Sequence, residues 1–260
     1  MLLLLSPAKT LDYTTPITNA APSDYTVPRL FTRSLELLPT LRGLSPDDLM
    51  RMMDISEPLA LLNRDRFAAL SSTFDNHNSR PAIFAFRGDV YNGMNPELWS
   101  EPDHAYAQQH LRILSGLYGL LRPLDRIQPY RLEMKTRLAN PRGRNLYEFW
   151  HGALTPLLVE DMQTTGEDII VNLASEEYFH AIEPQLIGAG GGRVVQCSFK
   201  ERRGGVLKII SFSAKKARGA MADFIIRHRH THPEQLKAFT ADGYAFAPEL
   251  STDDVLMFVR

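Results

Sequence analysis

Cysteine is almost missing from this sequence: Cys197 stands alone among 260 residues. No intrachain disulfide can form, and a reducing compartment fits best. Long apolar runs are scarce too. The longest uncharged one, Ile113 to Leu121, is interrupted by Ser115, Gly116 and Gly119, while the apolar start Met1 to Leu5 has no basic leader and stops at Ser6-Pro7. Neither is long enough to cross a bilayer or to read as a signal peptide, so a cytoplasmic protein without membrane contact is expected. Net charge is also slight, at −1, and does not by itself announce a nucleic-acid binder. Nucleotide-loop glycines are lacking. Ser6-Pro7-Ala8-Lys9-Thr10 is not a Walker A loop, and Gly188-Ala189-Gly190-Gly191-Gly192 precedes a strand instead of opening a helix, so it is no dinucleotide fingerprint. No cofactor is implied.

What remains is an ordinary globular composition, 44% hydrophobic and 23% charged, which excludes disordered and fibrous classes. Short apolar runs at 2–5, 81–86, 168–173, 194–199, 206–212 and 255–259 read as strands. Helical spacing covers 29–38, 46 to about 70 with a break at 55–58, 103–121, 145–162 and 214–228. Ser45-Pro46-Asp47-Asp48 is an N-cap with proline and acids in the first turn. Residues 14–28 read as an extended surface segment and 122–143 as an ordered loop. Strands alternating with helices predict an α/β fold, a mixed sheet with surrounding helices, in one domain spanning 1–260.

Charge is unevenly distributed. Residues 110–145 carry eight Lys and Arg against Asp125 and Glu133, and residues 193–218 carry eight against Glu201 alone, so the rest of the chain must be strongly acidic. A segregated field of this kind attracts polyanions even in a near-neutral protein; two solvated faces are the plainer alternative. Cations also follow three predicted strands, as Lys9, Arg87 and the run Lys215-Lys216-Ala217-Arg218. In α/β sheets ligands gather beyond the carboxyl ends of strands. Lysines early in a helix oppose its macrodipole, which favours anions there by about 0.3–1 kcal/mol, so Lys215, Lys216 and Arg218 in the stretch Ser211 to Gly219 make better sense with an external anion on the exposed N–H groups. Glu176 and Glu177, after the strand ending at Leu173, and Asp89, after Arg87, are the candidate acid/base residues. The plainer reading of Glu176 and Glu177 is as first-turn helix acids behind Ser175. His228, His230 and His232 alternate near Pro233 without a Cys or paired carboxylate to complete a metal site, and no metal is expected.

Several stretches, taken together, resemble the YaaA family of bacterial peroxide-stress proteins. They are Ser6-Pro7-Ala8-Lys9-Thr10-Leu11, Phe86-Arg87-Gly88-Asp89-Val90-Tyr91, His110 through Gly119 (HLRILSGLYG), Leu121-Arg122-Pro123-Leu124-Asp125, Gln128-Pro129-Tyr130-Arg131-Leu132-Glu133-Met134, Asn172-Leu173-Ala174-Ser175 and Ala214-Lys215-Lys216-Ala217-Arg218-Gly219. The resemblance runs nearly the full length. It implies a cytoplasmic protein of the peroxide response, associated with limiting free intracellular iron. It also implies an α/β fold of unusual topology, with a basic cleft that binds duplex DNA and a helix-hairpin-helix element near 45–70.

Two functions follow as expectations. In the first, Lys9, Arg87, Arg112, Arg122, Arg131, Lys215, Lys216 and Arg218 neutralise phosphates of double-stranded DNA. In the second, the same cations hold a small phosphorylated or nucleotide substrate, while Glu176, Glu177 or Asp89 supplies acid/base chemistry. Both require distant cations to meet at one concave spot.

Overall fold

The computed structural model describes residues 1–17 and 24–260; residues 18–23, within the expected surface segment, lie outside the described residues. Strands in chain order are β1 (Leu2–Leu5), β2 (Thr10–Leu11), β3 (Arg80–Pro81), β4 (Phe86–Arg87), β5 (Leu111–Ser115), β6 (Gly119–Leu121), β7 (Arg126–Ile127), β8 (Ile169–Asn172), β9 (Arg193–Arg203), β10 (Val206–Lys208), β11 (Ala245–Phe246) and β12 (Val255–Val259). Eight of them build one mixed sheet in the order β11-β12-β9-β8-β1-β5-β6, with β10 paired to β9. The five strands from β12 to β5 run parallel, and β6, β10 and β11 add antiparallel edges. The small pairs β2–β4 and β3–β7 stand apart from this sheet.

The chemistry of each strand follows from its place. β1 lies between two parallel neighbours, and all four of its leucines are buried; an unbroken apolar run suits a strand covered on both faces. Longer β9 alternates, with Val195, Cys197 and Phe199 turned inward, the period of two that a half-covered strand needs. Helices surround the sheet. No helix among the described residues is long and apolar enough to cross a membrane.

Several elements differ from their sequence expectation, each for a local reason. Residues 81–86 do not form one strand. Ala82–Ala85 is a helical turn between β3 and β4, and the N–H groups of Ala82 and Ile83 donate to the carbonyls of Asp125 and Pro123 instead of to a sheet. The helix expected over 103–121 stops at His110. Beyond it β5 and β6 form a hairpin, in which Ser115 Oγ accepts from the Tyr118 N–H at 3.0 Å and Gly119 adopts φ +73°. Short buried apolar runs carry no period that separates helix from strand. The helix expected over 145–162 divides into Leu146–Trp150 and Leu154–Thr165, with Gly152 at φ +67° between them.

Other signals hold. Ser45 and Asp48 form a reciprocal capping box, satisfying two otherwise unpartnered helix N–H groups. Helix Pro46–Met53 is followed by Glu57–Ala69, with Asp54 in the left-handed region at the turn. The long helix Ser211–His228 begins earlier than expected and has no side-chain cap. Lys215 therefore stands one turn inside it, past the free N–H groups expected beside a cationic first turn.

Candidate functional site

Parallel strands β1 and β8 end side by side, and hydrogen bonds fix the two chain ends together. The Ser175 N–H donates to Ser6 Oγ at 2.8 Å, Ser6 Oγ donates to Ser175 Oγ at 3.2 Å, and Tyr91 Oη donates to the Ser6 carbonyl at 3.1 Å. Above this floor opens a cavity of about 320 Å³. Ser6 to Thr10 line it from the end of β1, and Ser175, Glu177 and Tyr178 from the end of β8. Arg87 and Asp89 come from β4 and the following turn, Glu133 from the long loop, and Lys215 and Arg218 from helix Ser211–His228.

Two glycines bring that helix close enough. A Cβ on Gly219 would collide with the Val90 carbonyl, and one on Gly93 with the Lys216 carbonyl. Helices Asp89–Met94 and Ser211–His228 thus pack backbone to backbone, which carries Lys215 and Arg218 to the wall shared with Asp89. Gly88, at φ +135°, makes the turn between Arg87 and Asp89; only glycine takes that conformation without strain.

Charge on the walls is mixed. Glu133 is buried and meets Lys9 at 3.0 Å, Arg131 at 3.1 Å and Lys135 at 3.8 Å. Arg87 is engaged by Asp12 at 3.2 Å and by Glu97. Burial works against the Asp12 carboxylate, yet hydrogen bonds from Thr15, Thr14 and Arg87 hold its pKa well below the usual range. Glu177 accepts the Lys135 N–H at 3.3 Å. Burial pushes the Tyr178 phenol well above its ordinary pKa, so this hydroxyl stays neutral. Arg218 differs from all of these. Among the described residues it has no ion pair and no hydrogen bond, its Nε is enclosed without a partner, and burial lowers its pKa. A guanidinium withdrawn from water without compensation is costly, and an entering anion with several acceptor oxygens supplies what it lacks. Lys215, exposed one turn before it, likewise has no ion pair among the described residues.

The fold brings some of the expected residues together and leaves others apart. Lys9, Arg87, Asp89, Glu177, Lys215 and Arg218 line the one cavity. Arg131 reaches it through Glu133. Arg112 does not: it is buried within the β1–β5 pairing and bound to Asp161 at 2.6 Å. Arg122 is tied to buried Asp125 at 2.9 Å, Lys216 pairs with Asp242 at 3.1 Å, and Glu176 is exposed in the helical turn Glu176–Phe179 without lining the cavity. Sequence reasoning passed over Glu133 as a site residue. For Glu133 a signal existed, since it is the one acid in the basic stretch from Arg126 to Arg144.

Among the described residues no group of three or more His, Cys, Asp or Glu side chains is arranged to hold an ion. His228 and His230 stack on each other, while His232 caps the short helix Pro233–Leu236. Burial raises the Cys197 thiol to about 12, which leaves it unreactive at neutral pH.

The family described as "Peroxide stress protein YaaA" matches residues 1–250. A relative from Ralstonia nicotianae, "UPF0246 protein RSc2009", is 51% identical over 260 residues, covering 100% of this chain and 99% of the relative.

Proposed function

The chain belongs to the YaaA family of peroxide stress proteins, and from that premise we propose that it acts in the cytoplasm by seating a phosphate of double-stranded DNA against Lys215 and Arg218. The association with limiting free intracellular iron, implied by the family likeness, is part of this proposal, as an effect of the bound state. Arg218 carries the reading. It lines a cavity, has no carboxylate of its own among the described residues, and has exposed Lys215 one turn away. Exposed Lys9 and Lys135 stand at the same rim around Glu133. In this reading the pair Pro46–Met53 and Glu57–Ala69 is the helix-hairpin-helix element expected from the resemblance.

A second reading rests on a different observation: Asp89, Glu133 and Glu177 line the same cavity. A polyanion gains nothing from three carboxylates, whereas a small phosphorylated or nucleotide substrate finds in them acceptors and candidate general bases. A cavity of about 320 Å³ also falls within the range of small-molecule sites, about 300–1,000 Å³.

Fluorescence anisotropy with duplex DNA tests the first reading. Lys215→Ala and Arg218→Ala should each weaken binding and each lower the salt slope of log K by about 0.9; full affinity in both variants would reject it. Glu177→Gln and Asp89→Asn separate the two readings. DNA affinity should hold or rise when a negative charge is removed. Loss of nucleotide protection against thermal unfolding, with DNA affinity intact, would instead favour the small substrate.

A further inference from the structure

A second cavity, of about 350 Å³, shares no lining residue with the first and has no carboxylate on its walls. Tyr13, Tyr25, His77, Arg80 and Arg126 carry its chemistry. Arg80 is only 7% exposed, yet among the described residues its side chain has no ion pair and no hydrogen bond, and its Nε is enclosed without a partner. Between lining residues Ile17 and Tyr25 the one acid in the sequence is Asp24, which is exposed and forms no ion pair among the described residues. Asp12, close in sequence to the lining, has its oxygens engaged by Arg87, Thr14 and Thr15.

The backbone fixes where this charge sits. Arg80 and Arg126 lie on the two strands of the β3–β7 ladder, with Arg80 opposite Ile127 and Pro81 opposite Arg126. Arg126 donates to the Asp75 carbonyl at 2.8 Å, Ser79 Oγ at 3.1 Å and Asn76 Oδ1 at 2.5 Å, and its guanidinium lies 4.7 Å from the centre of the Tyr25 ring. All of these partners are neutral; Asp12 and Glu97 act on Arg80, and Asp75 on Arg126, only from a distance, and neither guanidinium forms an ion pair among the described residues. Guanidinium forks match phosphate oxygens in geometry and charge. Tyr13, held by donation to the Ile127 carbonyl at 2.7 Å, lines the cavity together with Tyr25 and His77. Planar heterocycles stack on aromatic rings of this kind.

We propose that this cavity is a separate ligand site for a phosphate monoester joined to a heterocyclic base, the chemistry shared by a nucleoside 5′-monophosphate and the 5′-phosphorylated end of a nucleic-acid strand. The proposal stands independently of the reading of the first cavity.

Calorimetric titration of the full chain tests it with AMP, inorganic phosphate, and an oligonucleotide bearing either a 5′-phosphate or a 5′-hydroxyl. AMP should bind more tightly than phosphate. Arg80→Gln should weaken AMP by about ten-fold or more, as expected when a charge-assisted hydrogen-bond pair is lost. Arg126→Ala should weaken it several-fold, and Arg218→Ala should leave it unchanged. If Arg80→Gln does not fold, Arg126→Ala and Tyr25→Ala carry the test. A preference for the phosphorylated over the hydroxyl strand that exceeds the affinity for AMP assigns the source to a strand end; tighter binding of AMP assigns it to free nucleotide. AMP affinity untouched by changes at Arg80, Arg126 and Tyr25, or lost only in Arg218→Ala, overturns the proposal.

Discussion

Glu133 and Asp161 are both buried, and each faces more than one cation, but the two arrangements do different work. Around Glu133, Lys9 and Lys135 remain largely exposed while they touch the carboxylate. Neutralising it by Glu133→Gln releases these cations toward solvent. Duplex affinity at low salt should rise, with the salt slope steeper by about 0.9 for each further phosphate that a released cation engages. A fall in affinity measured by anisotropy would mean that Glu133 positions the cations, and would count against a site that recognises phosphate by charge alone. Asp161 is internal to the fold. It accepts from Arg29 at 2.7 and 2.6 Å and from Arg112 Nε at 2.6 Å. Burial raises its pKa, but the hydrogen bonds from Arg29 and Arg112 outweigh this and leave it lowered. Its stabilisation is therefore fully present above the unfolded Asp value of about 3.9 and is lost as pH falls through the lower folded value. Asp161→Ala leaves Arg112 buried without its carboxylate, a change that costs about 3–5 kcal/mol. Urea titrations at neutral pH should show that loss. Repeated through the acid range, they should show the gap between the variant and the parent closing as pH falls.

At the scale of elements, the packing of helix Asp89–Met94 on helix Ser211–His228 governs the site, because one carries Asp89 and the other Lys215 and Arg218. Gly219→Ala forces the helices apart, since the new methyl group meets the Val90 backbone rather than a flexible side chain. Overpacking of this kind costs about 1–3 kcal/mol or more. Thermal unfolding should register the cost, and phosphate-dependent binding should weaken although no charge has changed. An unchanged melting temperature would refute the close packing. Neither glycine announced this role in the sequence, where a helical glycine reads only as a weak position. Other features were legible. The leucines of β1, the Ser45 cap, the helical turn after Ser175 and the cations Lys9, after β1, and Arg87, at the end of β4, could each be read locally, because each depends on neighbours within a few residues. What escaped depends on distant partners. Ala82 and Ile83 turn helical while their N–H groups are taken up by the 123–125 loop. Leu111–Ser115 extends because β1 lies beside it. Arg112 looks like a surface cation until Asp161, 49 positions later, is seen to claim it.

For the whole molecule, the segregated charge of the sequence overstates the field that the fold presents. Within 110–145, Arg112 is spent on Asp161, Arg122 on Asp125 and Arg142 on Glu36. Within 193–218, Arg193 is paired with Asp254, Arg203 with Glu201 and Lys216 with Asp242. Cations held in such pairs release few counterions when a polyanion arrives, because they are already neutralised. Arg137, Arg144, Lys200, Arg202 and Lys208 have no ion pair among the described residues, and neither have Lys215 and Arg218, but of these seven only Lys215 and Arg218 line the first cavity, beside the exposed Lys9 and Lys135 that share Glu133. This bounds the salt dependence for a duplex that engages the first cavity alone. Engagement of about two to five phosphates corresponds to a slope of log K against log salt of about −2 to −4.5, since each phosphate contributes about −0.9. If all sixteen Lys and Arg of the two basic segments took part, the slope would approach about −14 by the same rule. Anisotropy titrations between low and moderate salt distinguish these outcomes. A slope near zero removes DNA as the ligand of the first cavity. One far steeper than about −4.5 means that the interface extends well beyond the first cavity, onto the other unpaired cations of the two segments or onto ion pairs that open on binding.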